Sequence, residues 1–306
     1  MAANQALQLV VPVTVTPAKL TASNIPEPDS SVGESIWAIG TTYALGARVI
    51  LVATNSLYES LVAGNVGFSP DVNPLKWARV SATNRFRMFD TVNSSSSTRA
   101  ALVDVSVLPS AVVNALALLN VVAQSIRVRM TDPADGVVFD TTYPMQAPPL
   151  LADWWNYFFD PITTKTDLYI SMPSYGSATV RVEVSHAATA SVGTMLLGAA
   201  NSIGEGVEYG ASVGIQDYSR KERNQWGDLV LVERSFARRA SYRMLVPNAN
   251  RPAINSLLSS IRAKPALWVG VVGEQDTYIF GIYKDYQFII EFTEDSVLTL
   301  DLEGLT

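Results

Sequence analysis

The sequence predicts a mainly β protein: a small aromatic-core β module, a central jelly-roll-like β-sandwich and a C-terminal β-rich domain with one helix. Short runs of alternating apolar and polar residues recur along the chain, and Pro and Gly separate them, as is typical of strands joined by turns. Residues 252–262 differ, because apolar side chains from Ile254 to Ile261 recur at helical spacing. Asn250 precedes them as a suitable helix cap.

Residues 1–35 are predicted to form an N-terminal β arm and a linker. The segment 7–15 is strand-like, and Pro12 favours a strand end or a sheet edge. Prolines then interrupt a polar segment, which is typical of extended chain. The module follows at residues 36–82, where a tight turn at Thr54 and Asn55 is expected to join two strands.

The module is expected to be held together by aromatic rings. It contains Trp37, Tyr43, Tyr58 and Trp77, and the chain has no cysteine. So small a unit buries little surface when it folds and needs disulfides or a few very large side chains. Large rings supply that buried surface here.

Residues 83–200 are predicted to be the sandwich, with a hairpin turn at 132–136. Residues 114–123 fit a buried strand or a short helix equally well, since periodicity does not separate the two. The C-terminal domain is placed at 201–306. Strands of these two regions are expected at 85–89, 101–107, 125–130, 137–139, 167–172, 179–185, 229–232, 241–246, 267–272, 278–283, 286–292 and 296–302.

Composition removes several classes of function. The net charge is -6 and 16% of residues are charged, so a surface for nucleic acid is not expected. Without cysteine there is no thiol catalysis or thiolate metal site, and His186 is the single histidine. No apolar run reaches the length of a membrane span, and the N-terminus lacks the basic region of a secretory signal. We expect a chain made and assembled inside a cell, with no metal and no cofactor.

The catalytic motifs are weak. Residues 210–214 match the spacing of a nucleophile elbow around Ser212, but no helical pattern follows and His186 comes before the serine. A glycine-rich β turn is the preferred interpretation. Asp153 and Asp160 flank an aromatic run and resemble a glycosidase pair, although aromatics that plug a sandwich end or a subunit contact fit better. We expect no enzyme.

Charge is distributed unevenly over the last third of the chain. A basic face meeting an acidic face on the next copy is what a heterologous ring contact would use. The alternative is that these side chains are solvated or pair within one domain. The subunit-interface candidates are Arg220, Lys221, Arg223, Arg234, Arg238, Arg239 and Arg243 on the basic side, with Glu291, Glu294 and Asp295 on the acidic side.

The small module resembles the chitin-binding type of family 5/12 carbohydrate-binding modules. The residues that carry the resemblance are Trp37, Tyr43, Gly46, Val49, Tyr58, Glu59, Pro70 and Trp77. The resemblance implies that Trp37, Tyr43, Tyr58 or Trp77 contacts a polysaccharide. Sugar-binding members carry exposed aromatics after the Tyr-Glu pair, whereas residues 61–64 here are Leu, Val, Ala and Gly.

The order of segments along the whole chain resembles tail proteins of tailed bacteriophages. The similarity lies in residues 23–27, the module, residues 84–90, the sandwich, residues 217–221 and the C-terminal segments 265–268 and 302–305. The resemblance implies a virion protein of the tail tip or baseplate, assembled in the host cytoplasm, whose partners are copies of itself and other tail proteins.

Two hypotheses of function follow. In the first, the chain is a structural baseplate protein, several copies of which assemble into a ring or collar around the tail axis. In the second, it is a glycan-binding tail protein that recognises host surface polysaccharide. A polysaccharide-degrading enzyme is a third and less favoured alternative. None of the three inserts into a membrane.

Overall fold

The computed structural model describes residues 6–92, 95–146, 164–208, 210–223, 225–290 and 293–305. The described chain is mainly β, with antiparallel pairing throughout its named strands, as the sequence predicts. The strands are β1 (Leu7–Pro12), β2 (Leu20–Ser23), β3 (Arg48–Leu51), β4 (Ser56–Ser60), β5 (Trp77–Ala82), β6 (Ser97–Val107), β7 (Val113–Val122), β8 (Ser125–Asp132), β9 (Gly136–Pro144), β10 (Leu168–Tyr175), β11 (Thr179–Ile203), β12 (Ser212–Asp217), β13 (Arg220–Arg223), β14 (Leu229–Val232), β15 (Phe236–Pro247), β16 (Ala266–Val269), β17 (Tyr278–Ile289) and β18 (Asp295–Gly304), and the helix α1 is Arg251–Ser260.

Strand β11 runs for 25 residues and belongs to both layers of the body. Its first part pairs with β6 and β8, and its last part pairs with β7 and β1. The register shifts between Ser185 and Thr189, which is where a bulge lets one strand pass from one sheet to another. One layer therefore has the order β2-β6-β11-β8-β9, and the other runs β10-β7-β11-β1-β16-β17-β18-β15-β12.

The two layers enclose an apolar core, as expected of a sandwich. Strands β6, β7, β8, β10 and β11 contribute alternate side chains, most of them valine, leucine and isoleucine. A second core lies between α1 and the C-terminal strands. There Ile254, Leu258 and Ile261 of the helical region pack against Trp268 and Leu300.

The N-terminal segment is an inner strand. Strand β1 lies between β11 and β16, with Leu9 opposite Asn201 on one side and opposite Trp268 on the other. Pro12 ends the strand, in agreement with its missing N–H donor. Gly198 makes the close approach to β11 possible, because a Cβ there would lie 2.3 Å from the carbonyl oxygen of Val11.

Three local predictions differ from the structure. Residues 85–89 form a turn and a 3-10 helix, because the Thr83 carbonyl accepts the N–H groups of Phe86 and Arg87. The two strands predicted at 278–292 are one strand, β17, with a register shift between Tyr283 and Asp285. The side chain of Asn250 makes no capping hydrogen bond to α1. The ambiguous segment 114–123 belongs to strand β7.

A buried polar network joins the linker, the end of the module and the sandwich. The side-chain amide of Asn84 donates to Asp29 Oδ2 at 2.7 Å and to the Thr98 carbonyl at 2.9 Å, and its oxygen accepts the Thr98 N–H. The Glu34 carboxylate accepts the backbone N–H groups of Asp29 and Asn84. Asn84 is fully buried and has no access to water. Its polar atoms therefore depend on these hydrogen bonds within the protein.

Glu27 of the linker also binds the module and the residues that follow it. Its carboxylate accepts from the Asn55 amide at 3.0 Å and from the Thr83 hydroxyl at 2.7 Å, and Arg85 lies 3.5 Å away. Asn55 is the left-handed residue at the module's turn, where the sequence predicts the tight connection. The linker therefore fixes the position of the module by side-chain hydrogen bonds to the β3–β4 turn and to the residues that follow β5.

We expect the substitution Asn84→Ala to lower the free energy of unfolding by about 2 to 4 kcal/mol. It leaves the Asp29 carboxylate and the Thr98 N–H buried without this partner, and each loss costs about 1 to 3 kcal/mol. Urea denaturation of the full chain measures the change. Asn73→Ala is the control, because Asn73 makes one amide hydrogen bond in a surface loop and its loss is expected to cost under about 1 kcal/mol.

The acid limb of stability gives a second readout of the Asn84 network. Burial raises the pKa of Asp29, but hydrogen bonds from Ser31 and Asn84 outweigh it, and the pKa lies below its ordinary value. A depressed carboxylate pKa stabilises the fold above the unfolded value, about 3.9, and this contribution is lost as the pH falls through the folded value. The Asn84→Ala variant is expected to lose less stability over that interval. An unchanged acid limb would contradict the assignment.

Candidate interaction surface

The aromatic rings of the module point largely into its core. Trp77 on β5 exposes 2% of its surface, and Tyr58 on β4 exposes 7%. Tyr43 meets Trp77 edge to face with centroids 5.3 Å apart, and Trp37 packs against the same cluster. The indole N–H of Trp77 donates to the Phe68 carbonyl at 2.9 Å. Trp77 therefore has no ring face free for a ligand.

The two tyrosine hydroxyls of the module are also engaged within it. The Tyr43 hydroxyl accepts the Ala38 N–H at 2.8 Å, and the Tyr58 hydroxyl lies 3.3 Å from the Thr54 hydroxyl. Trp37 and Tyr43 keep part of their surface exposed. Of the four residues predicted to contact sugar, these two are half-buried and the other two are buried, and contact with a glycan stays a prediction.

Around this core the module exposes aliphatic side chains from its two long loops. The loops are tied to each other by paired backbone bonds between Tyr43 and Asn65. Phe68 is the aromatic among the strongly exposed apolar residues of the loops, and the Lys76 ammonium lies 5.1 Å from its ring centroid. The exposed set is Ile39, Leu45, Leu61, Val66, Phe68, Val72 and Leu75.

A second exposed apolar region is a long two-stranded ribbon. Strand β12 pairs with the first half of β15, and past Asp217 the same two segments continue as β13 and β14. We call residues 218–223 and 225–235, which hold β13 and β14, the ribbon tip. The eight residues of β13 and β14 are exposed, including Leu229 at 55% and Leu231 at 65%. Trp226 in the connection is 78% exposed.

Polar contacts fix the base of the ribbon. The Tyr218 hydroxyl donates to Glu303 on β18 at 2.6 Å, and this hydrogen bond raises the pKa of Tyr218. Lys221 lies 2.6 Å from Asp217, and its hydrogen bond holds the pKa of Asp217 well below its usual range. The Ser219 hydroxyl accepts the backbone N–H of Arg234. These contacts define the direction in which the ribbon tip leaves the sheet.

Several predicted interface charges have partners within the chain. Arg220 pairs with Glu222, and Arg243 pairs with Glu208 at 3.1 Å. Arg223 donates to the Gly227 carbonyl at 3.0 Å. Arg239 and Glu294 are exposed, Asp295 opens β18 and is half-buried, and Glu291 lies outside the described residues. Pairing within one domain, the alternative in the sequence analysis, therefore accounts for part of the set, and its role between copies stays a prediction.

Arg238 forms the most buried of these ion pairs. Its Nη1 donates to Asp167 Oδ2 at 2.8 Å and contacts the carbonyl oxygens of Gln275 and Tyr278, both at 3.2 Å. Asp167 is 4% exposed and also accepts the Asn120 N–H. The pair lines a cavity of about 340 Å³ between the end of β7, the start of β15 and the C-terminus. It ties the C-terminal strands to the sandwich.

The remaining chemical candidates do not form a site. Ser212 is the first residue of β12, and His186 Nδ1 accepts the Ala188 N–H, so the two belong to separate local structures. Asp153 and Asp160 lie outside the described residues. In the described ranges, no cluster of three or more His, Asp or Glu side chains is placed to hold a metal ion. No helix in the same part of the chain is long and apolar enough to cross a membrane.

The sequence pattern predicts a strand at 229–232 but does not predict that this strand forms an exposed ribbon tip. A signal was present, because Leu229–Val232 is a run of four aliphatic residues opposite the basic strand Arg220–Arg223. A continuous aliphatic run is ordinarily read as a buried strand. Only the three-dimensional structure shows that β14 pairs with β13 alone and that both of its faces are exposed.

This chain shows weak similarity to two solved structures of known proteins. No family model matches the chain, and no curated protein matches its sequence. Two solved structures of chitosan-binding module 1, derived from a chitosanase/glucanase of Paenibacillus sp. IK-5, show limited similarity. A mutant form is 12% identical with a TM-score of 0.26 and covers 37% of this chain and 82% of that chain. The other is 15% identical with a TM-score of 0.25 and covers 36% and 81%. These values do not establish a common fold or function.

We expect Trp77→Ala to destabilise the module by about 3 to 5 kcal/mol, because it removes a fully buried ring from a very small core. Hydrogen exchange should show faster exchange in β4 and β5, while β11 amides change little. Phe68→Ala is the matched control, since its ring is 42% exposed and its backbone carbonyl remains. Equal effects of the two substitutions would show that Trp77 does not support the core.

We expect Arg238→Met to lower stability by about 2 to 4 kcal/mol, because the buried Asp167 carboxylate loses its charged partner. Adding Asp167→Asn should recover at least about half of that loss, since a neutral amide costs less to bury unpaired. Urea unfolding of the two single variants and the double variant measures the coupling. Purely additive losses would contradict the ion pair as the link between the two regions.

Proposed function

We propose that this chain is a structural, non-enzymatic protein that assembles with copies of itself into a larger particle. The observation that carries the proposal is the ribbon tip, where Leu229–Val232 is exposed on both of its faces. A two-stranded hairpin without a layer behind it is marginally stable in water. Contiguous exposed apolar surface on a protein is typical of an interaction site. Burial against another protein chain supplies the missing layer.

The exposed aliphatic loops of the module support the same proposal. Leu75 exposes 87% of its surface, Val72 exposes 70% and Ile39 exposes 69%. Such side chains offer no hydrogen bonds to a sugar, whereas apolar protein surface matches them. The module is proposed to brace a neighbouring protein with this surface, while its buried rings hold the module together.

The particle we propose is the tail tip or baseplate of a tailed bacteriophage. This finer assignment rests on the resemblance of the segment order along the chain to such tail proteins. It carries with it assembly in the host cytoplasm, a place in the virion and a ring or collar around the tail axis. Mass spectrometry of purified particles from the cells that make the chain tests it, and absence of the chain from them would contradict it.

Glycan recognition remains the competing proposal, and Trp37 and Tyr43 are the residues that would carry it. Both residues are half-buried and pack against the module core. Binding of the full chain to a glycan array would support it, provided that Trp37→Ala or Tyr43→Phe removes the signal while the circular dichroism spectrum stays unchanged. A signal that survives both substitutions would count against these rings as the site.

We expect the wild-type chain to associate reversibly between roughly 1 and 100 µM, where contacts of about -6 to -8 kcal/mol populate oligomers. Replacing Leu229 and Leu231 by Ser should shift this association at least about tenfold, since two exposed leucines lose their burial at the contact. Analytical ultracentrifugation of the full chain measures it.

Val122→Ser with Val137→Ser is the control for this assembly test. Both valines are about half exposed, at 49% and 47%, and they lie on β7 and β9, outside the ribbon tip. Their replacement should leave association unchanged. A wild-type chain that stays monomeric over the whole concentration range would overturn the proposed function.

A further inference from the structure

The ribbon tip has two open edges of different character. Strands β13 and β14 form a two-stranded sheet of their own in the described chain, so each strand has one edge that no other strand covers. Open edges offer rows of backbone donors and acceptors to another chain. Which strand can lie against which edge is then decided by side chains.

Charge separates the two edges. Strand β13 carries Arg220, Lys221 and Arg223 with a single acid, Glu222. Strand β14 carries no charge, but Asp228 precedes it and Glu233 follows it. A basic strand beside an aliphatic strand with an acid at each end is a complementary pair. Lys and Arg stems can cover the leucines while their charged ends reach the acids.

Pairing of like edges is disfavoured by the same residues. Two copies of β14 placed antiparallel bring Asp228 opposite Glu233 at both ends, and two copies of β13 bring Arg220 opposite Arg223 at both ends, with the one favourable pairing, Lys221 opposite Glu222, between them. Like charges directly opposite each other destabilise a strand pair. A two-fold contact between identical edges is therefore the poorer arrangement, and β14 of one copy against β13 of another is the better one.

The fold already shows that these two sequences pair. Within one chain β13 and β14 are antiparallel, with Lys221 opposite Leu231 and Arg223 opposite Leu229. Copies related by rotation about an axis along the ribbon would present β14 of one copy to β13 of the next, again antiparallel. Such a contact joins two different patches and repeats from copy to copy.

We propose that the ribbon tip is the contact through which one copy of this chain binds the next, head to tail, by pairing β14 of one copy with β13 of its neighbour. The inference rests on the proposed function and deepens it, because it names the partner and the strands involved. Lys221 of one copy lies opposite Leu231 of the next, in the register that the strands adopt within a chain.

Cysteine cross-linking tests the pairing directly, because the chain contains no cysteine of its own. Full-length Lys221→Cys and Leu231→Cys variants are prepared separately, mixed at low concentration, concentrated and oxidised. Directly opposite positions in a strand pair have Cβ atoms about 4.5 to 5.5 Å apart, near the span that a disulfide bridges after a small adjustment. Arg262→Cys, at an exposed position after α1, measures random collision.

We expect disulfide-linked dimers in the mixture at about ten times the yield of either variant alone, a preference of about 1.4 kcal/mol. Equal yield from a single variant would show a two-fold contact and overturn the proposal. If the mixed cysteine variants give no cross-link above the Arg262→Cys level while the wild-type chain is oligomeric by light scattering, this contact is overturned and the proposed function stands. A monomeric wild-type chain would overturn both.

A charge-reversal variant gives a second measurement that does not depend on cysteine. Lys221→Glu with Arg223→Glu places acids beside Asp228 and Glu233 of the neighbouring copy and should weaken association at least about tenfold. The same change affects β14 of its own chain and the Lys221–Asp217 pair, so hydrogen exchange of the β13 and β14 amides in the dilute variant must first show that the ribbon still forms. Arg262→Glu with Lys264→Glu makes the same change in net charge at exposed positions elsewhere and should leave association unchanged. Equal effects of the two variants would mean that net charge alone governs association, which would overturn the contact.

Discussion

The structure depends on the continuity of strand β11, to which both layers of the body are hydrogen-bonded. Its first part completes the layer of β6 and β8, and its last part completes the layer of β7 and β1. Any shift of register along so long a strand would turn apolar side chains out of both layers at once. Gly198 sets this register at the crossing with β1, since a side chain there would collide with the Val11 backbone.

Polar contacts help to attach the small module and the C-terminal strands to the sandwich. The module core is a cluster of a few rings, and its attachment to the sandwich is the buried network of Asp29, Glu34 and Asn84. In the same way, the ion pair of Arg238 and Asp167 connects the C-terminal strands to the sandwich. Hydrogen bonds are directional, so these contacts fix orientation as well as proximity.

The ribbon tip differs from the body of the protein in that its aliphatic strand is exposed on both faces. Strand β7, by contrast, is an aliphatic strand within its layer, and its alternate side chains pack into two apolar clusters. Strand β14 has the same kind of sequence but leaves the sheet with no layer beside it. Its base is held by Tyr218 and Asp217, so its direction is defined before any partner arrives. Such preorganisation lowers the entropy that binding must overcome.

The sequence by itself determined the fold class, most strand positions, the helix and the turn at Asn55, because these depend on local periodicity and on backbone conformations that few residues adopt. It failed at residues 85–89, where local hydrogen bonds from Phe86 and Arg87 to the Thr83 carbonyl turn the chain despite its alternating pattern. Only the tertiary structure decided that Trp77 faces inward, that Arg238 pairs with Asp167, and that Leu229–Val232 is exposed. These outcomes depend on which distant segments meet, and strand pairing over such separations leaves no mark in the local pattern.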